Sequence, residues 1–106
     1  MHDPNDFDLP RTARRLLHEA ATGALATLMP GSGAPYASLV TVGTLPDASP
    51  VLLLSRLARH TANIQADSRV SLLVDQRSPG DPLEGARVSM AGTIRPTDDP
   101  AARRRF

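Results

Sequence analysis

The sequence contains no cysteine, no lysine and no tryptophan. Without cysteine, disulfides, thiolate nucleophiles and thiolate metal sites are all excluded. The histidines His2, His18 and His60 lie far apart, and neither an HExxH pattern nor an EF-hand loop accompanies them, so no dedicated metal site is expected. Aromatics amount to 3%, namely Phe7, Tyr36 and Phe106, too few to build a stacking surface for nucleic-acid bases. No apolar run approaches the roughly 18 residues of a membrane-spanning helix. The acidic opening MHDPNDFDLP has neither the basic nor the apolar region of a secretory signal. These absences predict a cytoplasmic protein with no nucleic-acid partner and no membrane contact. A P-loop, a GxSxG elbow and a strand-following GxGxxG are also missing, which sets aside nucleotide-triphosphate, acyl-transfer and Rossmann chemistry.

What is present suits one small domain: 106 residues, 41% hydrophobic and 22% charged, with a formal net charge of +1. The charge is unevenly spread, because most of the basic residues follow Leu53, and all of them are Arg. Arginine without lysine fits either bidentate phosphate recognition or genomic base composition, and the residues alone leave both open.

Periodicity divides the chain. Residues 1–8 are polar and read as a flexible N-terminus, with Asp8 as N-cap ahead of Leu9 and Pro10. Ala13, Leu16, Leu17, Ala20 and Ala21 then form one helical stripe that Gly23 can close. Ala24–Met29 and Tyr36–Gly43 flank the turn PGSGAP as a hairpin, and TLPDASP leads into Val51–Ser55, a compact apolar strand closed by Ser55 and expected to be covered on both faces. A short helix beginning near Arg59 precedes a strand over Arg69–Asp75. After the loop QRSPGDPLEG, Ala86–Arg95 alternates, with Val88, Met90 and Ile94 on one face and Arg87, Ser89, Thr93 and Arg95 on the other. Residues 9–96 thus form the domain. Thr97–Pro100 resemble a helix start, so 97–106 reads as the beginning of a truncated C-terminal helix. Five to six antiparallel strands with two short helices predict a mainly β, α+β fold, a small barrel rather than a doubly wound sheet.

One feature suggests chemistry. Arg59 and His60 stand at the start of the second predicted helix, where backbone N–H groups already make a positive end. Cations there are unfavourable unless an anion such as phosphate reverses the sign. They either serve such a site or point into water, where the repulsion is screened. Arg87, on the polar face of its strand, converges on the same pocket if that strand neighbours the helix. Ser38 and Ser55 offer hydroxyls to a ligand or to their own backbone. No residue is a credible acid or base by itself, so none is assigned a catalytic role.

The block SRLARHTANIQADSRVSLLV, with PYASLV and GDPLEGARVSMAG, resembles the flavin mononucleotide (FMN)-binding split β-barrels of the pyridoxamine 5'-phosphate oxidase superfamily, most closely their flavin-binding and haem-utilisation branch. The resemblance runs from about Gly23 to Arg95. It implies that Ser38, Leu39 and Val40 line the flavin ring, with Ser38 where the oxidases carry Arg. Leu54 and Ser55 would contact flavin or ribityl atoms. Arg59, His60 and Thr61 would hold the phosphate, with His60 in the place of the oxidases' Lys, and Arg87 would reach the cofactor from its strand. The family implies a homodimer with the flavin at the subunit interface. It also implies an FMN-dependent oxidoreductase acting on an unspecified small molecule. The substrate-binding Arg and His of the oxidases fall outside these residues, so vitamin B6 oxidation is not implied. The alternative is a non-enzymatic module that binds flavin or haem, with His60 the candidate haem ligand.

Overall fold

The computed structural model describes residues 4–75, 80 and 85–106, with the side chains of the first helix described from Arg11 onward. The elements run α1 (Pro4–Glu19), β1 (Thr22–Leu28), β2 (Pro35–Thr44), β3 (Pro50–Leu53), α2 (Arg59–Ala66), β4 (Arg69–Asp75), β5 (Arg87–Thr93) and α3 (Pro100–Arg103). All strand pairs are antiparallel, and the five strands form one sheet in the order β3-β2-β1-β4-β5. The sheet curls into a half-barrel, the expected split-barrel type.

Alternation gives the sheet two distinct faces. On the inner face, Leu25, Val40, Val42, Leu72 and Val74 are buried against Leu16 and Leu17 of α1, with Leu52, Leu54, Ile64, Val70 and Val88 packed around them. Each leucine taken fully out of water contributes about 1.5–3 kcal/mol, so this single cluster is the main source of stability. A buried hydrogen bond from Thr44 Oγ1 to the Leu17 carbonyl (2.6 Å) fixes the end of α1 to β2. The outer face carries a continuous row, Leu39–Ala24–Leu73–Ser89, set by the strand register. Leu53, beside Thr41, extends it to the sheet edge. Leu39, Leu53 and Leu73 are all exposed there.

Several expectations are corrected. The first helix starts at Pro4 rather than after Asp8. Proline is tolerated at a first helical position, where its missing N–H would have no partner in the helix. Pro10 therefore lies within α1, which runs on without one backbone bond. Gly23 is not a helix cap but a residue of β1. A Cβ there would stand 3.0 Å from both Leu72 Cδ1 and the Leu73 carbonyl oxygen, so its smallness lets β1 approach β4. The strand expected over Val51–Ser55 is the edge strand β3. It stops at Leu53, and Leu53 is exposed because nothing described covers the outer face there. β5 is likewise an edge strand, less buried than its alternation suggests. Within the helix start expected over Thr97–Pro100, the cap is Asp99, whose Oδ1 accepts from Ala101 N (2.9 Å). The loop expected over 76–85 lies outside the described residues except for Gly80 and Gly85.

At its end α3 turns back onto the outer face. A Cβ on Gly43 would lie 2.9 Å from Arg105 Cβ and 3.2 Å from Phe106 Cζ, so the absence of a side chain makes room for the chain end. Among the described residues, no helix is long and apolar enough to cross a membrane.

Gly23→Ala is expected to destabilise the protein by about 1–3 kcal/mol, the usual effect of overpacking against backbone. Chemical denaturation checks this, and a variant as stable as the parent would show that β1 and β4 can separate freely.

Candidate functional site

The most polar part of the inner face is the seat of α2. Its N-cap is Ala58, in an extended conformation, with no side-chain cap and no acidic residue in the first turn. The backbone N–H groups of Arg59 and His60 find no partner among the described residues. The preceding turn is tightly organised. Ser55 Oγ accepts from Leu57 N (3.2 Å), and the Ser55 carbonyl accepts from Ala58 N (3.2 Å) and from the hydroxyl of Thr61 in a short hydrogen bond. Arg59 is exposed on this tip. The result is a helix end with open amide donors, a guanidinium and a serine hydroxyl free to donate, an arrangement suited to an anion.

The other side of α2 faces the sheet. His60 Nδ1 lies 3.0 Å from Ser38 Oγ on β2. His60 Nε2 is buried and has no hydrogen-bond partner among the described residues. Three residues further along α2, Asn63 is fully buried (0% exposed). Its Nδ2 donates to Thr27 Oγ1 of β1 at 3.0 Å, and Thr27 Oγ1 in turn donates to the Tyr36 carbonyl of β2 at 3.4 Å. Asn63 Oδ1 is left without a partner among the described residues. The helix ends at Asp67, whose backbone N–H bonds the Asn63 carbonyl. Its carboxylate receives Arg69 Nη2 at 2.7 Å and Nε at 3.1 Å. That side-chain bond, with a further bond from the Arg69 backbone, holds the Asp67 carboxyl down at about 2.

The structure joins some of the candidate residues and separates others. Ser38 and His60 bond directly, and Ser55, Arg59 and Thr61 share the α2 turn. The Thr61 hydroxyl proton is already committed to Ser55, so Thr61 braces the turn. Leu54 packs against the core. Leu39 and Val40 lie on opposite faces, Val40 in the core and Leu39 68% exposed, so their side chains do not share one ligand surface within a chain. Arg87 is exposed on the outer face of β5, opposite Asp75. It is three strands from Ser38 on β2, roughly 14 Å along the sheet, and does not meet α2 in the same chain. Asn63 and Thr27 were not distinguished by sequence reasoning. The only signal was a polar residue on the helix face that also carries Ile64.

A curled antiparallel half-barrel with a helix seated inside it and an open helix tip defines a split-barrel domain. Residues 9–106 match the family described as pyridoxamine 5'-phosphate oxidase, and the chain belongs to that family. It is similar to the solved structure of a haem-binding protein from Mycobacterium smegmatis, at 40% identity and TM-score 0.77, over 88% of this chain and 39% of that one. A protein of unknown function from Agrobacterium tumefaciens shares 35% identity at TM-score 0.76, over 88% of this chain and 41% of the other. The haem storage protein HutZ from Vibrio cholerae, at 19% identity and TM-score 0.65 over 99% of this chain and 71% of that one, shares the fold. A search of curated proteins finds no match. The chain spans about two fifths of the Mycobacterium and Agrobacterium structures.

The Asp67–Arg69 pair gives a pH signature. The Asp67 carboxyl in the folded protein lies below its unfolded value of about 3.9, so its contribution is fully present above that pH and is lost as pH falls through about 2. The pair is largely exposed, which keeps the contribution small. Asp67→Asn is expected to lower Tm slightly at neutral pH, with the gap to the parent closing between pH 4 and 2 in thermal melts. A gap that persists at pH 2 would assign it to lost packing or capping instead.

Proposed function

We propose that the chain binds FMN, with the phosphate at the tip of α2, and serves as the cofactor-holding domain of a flavin-dependent oxidoreductase acting on a small molecule. The supporting observation is the uncapped, acid-free start of α2, with two free amides and Arg59 beside the Ser55 hydroxyl. Such a donor set fits a dianion. Arg59 and the amides of Arg59 and His60 would hold it, and the Thr61–Ser55 bond keeps the turn from opening. Ser38 holds the His60 ring against the sheet. When bound, the flavin supplies the electron transfer, and the protein supplies binding and orientation.

In this reading the partner of the chain is a second copy, as the family resemblance implies. The exposed row of Leu39, Ala24 and Leu73, continued by Leu53, is the surface that such a copy would cover. Pairing there is also the route by which Arg87, on the same outer face, would reach a site shared between subunits.

Haem is the second reading, favoured by the similarity to a haem-binding protein at 40% identity. The donor set at α2 suits a propionate as well as a phosphate. His60 keeps Nδ1 on Ser38 and has Nε2 unpaired but buried, so iron ligation would require Nε2 to be uncovered.

Titration with FMN, riboflavin and haemin separates the readings. FMN is expected to bind far more tightly than riboflavin, and Arg59→Ala is expected to weaken FMN roughly tenfold to hundredfold while leaving riboflavin unchanged. Equal affinity for the two flavins would remove the phosphate site, and an intense Soret band with no flavin uptake would favour haem. Leu39→Asp is expected to shift the protein from dimer to monomer in sedimentation velocity, and a monomeric parent would refute the dimer.

A further inference from the structure

Asn63 is an unexpected residue for its place. It is completely buried on the helix face that meets the core, one of its two polar groups is unsatisfied, and Leu25 (0% exposed) and Ile64 belong to the same packed region. A leucine there would bury more apolar surface and leave no orphaned carbonyl, so stability does not account for an amide. What an amide adds is direction. Apolar packing resists separation but tolerates rotation and sliding, whereas a hydrogen bond holds a distance and an angle.

The bond runs from Asn63 to Thr27 on β1, and Thr27 passes its own proton to the Tyr36 carbonyl on β2. Asn63 is therefore tied to both strands of the hairpin. With the His60–Ser38 bond almost one turn earlier, two fixed points on one side of the helix set its rotation about its own axis. The tip at residue 59 lies about 6 Å along the axis from Asn63, so any rotation at the anchor redirects the open amides.

We propose that Asn63 is a positioning residue: through Thr27 it fixes the rotation and axial position of α2 and thereby aims the amides of Arg59 and His60 at an anionic ligand. The role of the ligand rests on the phosphate reading above, while the anchoring of the helix does not depend on it.

Two readouts test this on the full chain, in Asn63→Leu, Thr27→Val and the rescue variant Thr27→Ser. Hydrogen exchange is measured without ligand. The α2 amides of Asn63→Leu and Thr27→Val are expected to lose about five- to tenfold of their protection relative to β1 and β2, with Thr27→Ser close to the parent. Affinities for FMN and riboflavin are measured next. FMN is expected to weaken roughly three- to tenfold in Asn63→Leu and Thr27→Val and not in Thr27→Ser, with riboflavin unchanged throughout. The double variant should be no worse than the more affected single variant, because both remove the same bond. Unchanged α2 exchange in folded Asn63→Leu and Thr27→Val overturns the proposal. So does an equal loss of both flavins, which marks Asn63 as merely structural. A parent that binds FMN and riboflavin alike defeats the phosphate reading, and the anchor is then decided by exchange alone.

Discussion

The docking of α2 onto the β1–β2 hairpin is the contact on which the polar half of this small protein depends. It works because two periodicities coincide. In the register of the hairpin, Ser38 stands opposite Leu25 and Tyr36 opposite Thr27, so polar groups occur in adjacent rows of the inner face. On the helix, His60 and Asn63 are three residues apart and project to one side. A slip of the hairpin by one residue would send both Ser38 and Thr27 to the outer face and leave Asn63 buried without its donor role satisfied. The register, set by the core residues between them, thus also determines where the open amides lie.

Much of the fold was legible because local chemistry and tertiary structure agree. β4 runs over Arg69–Asp75 and α2 begins at Arg59, both as the residue pattern indicates, since each is bounded by turn-forming or polar residues. The Leu16–Leu17 stripe of α1 is buried as its spacing requires. The misreadings have a common cause. Gly23 can end a helix or narrow a strand, and only the proximity of Leu72 and Leu73 decides between them. Val51–Leu54 is apolar like a central strand, yet the order of the sheet puts it at an edge, and strand order is not written in any local pattern. At the site, Arg59 and His60 stood out because charge at a helix start is locally unusual. Asn63 did not, because an asparagine in a helix is conspicuous only once its burial is known.

The two faces of the sheet divide the protein's tasks. The inner face holds the core and the seat of α2. The outer face is apolar but exposed along Leu39 and Leu73, and Arg87 sits at its margin. Within one chain, residues that the family likeness assigns to a single ligand are therefore split between opposite surfaces, Ser38 and His60 inside and Leu39 and Arg87 outside. A flavin site of the kind proposed must draw the outer set from another chain.

The placement of α3 has a mechanical side. Residues leaving β5 at one margin of the sheet travel to Gly43 on β2, next to the opposite margin, and are gripped there by the fit of Arg105 and Phe106 over a position with no side chain. Between these ends, residues 95–100 are exposed and touch little. The stretch is a strap held at both ends and open to solvent between them.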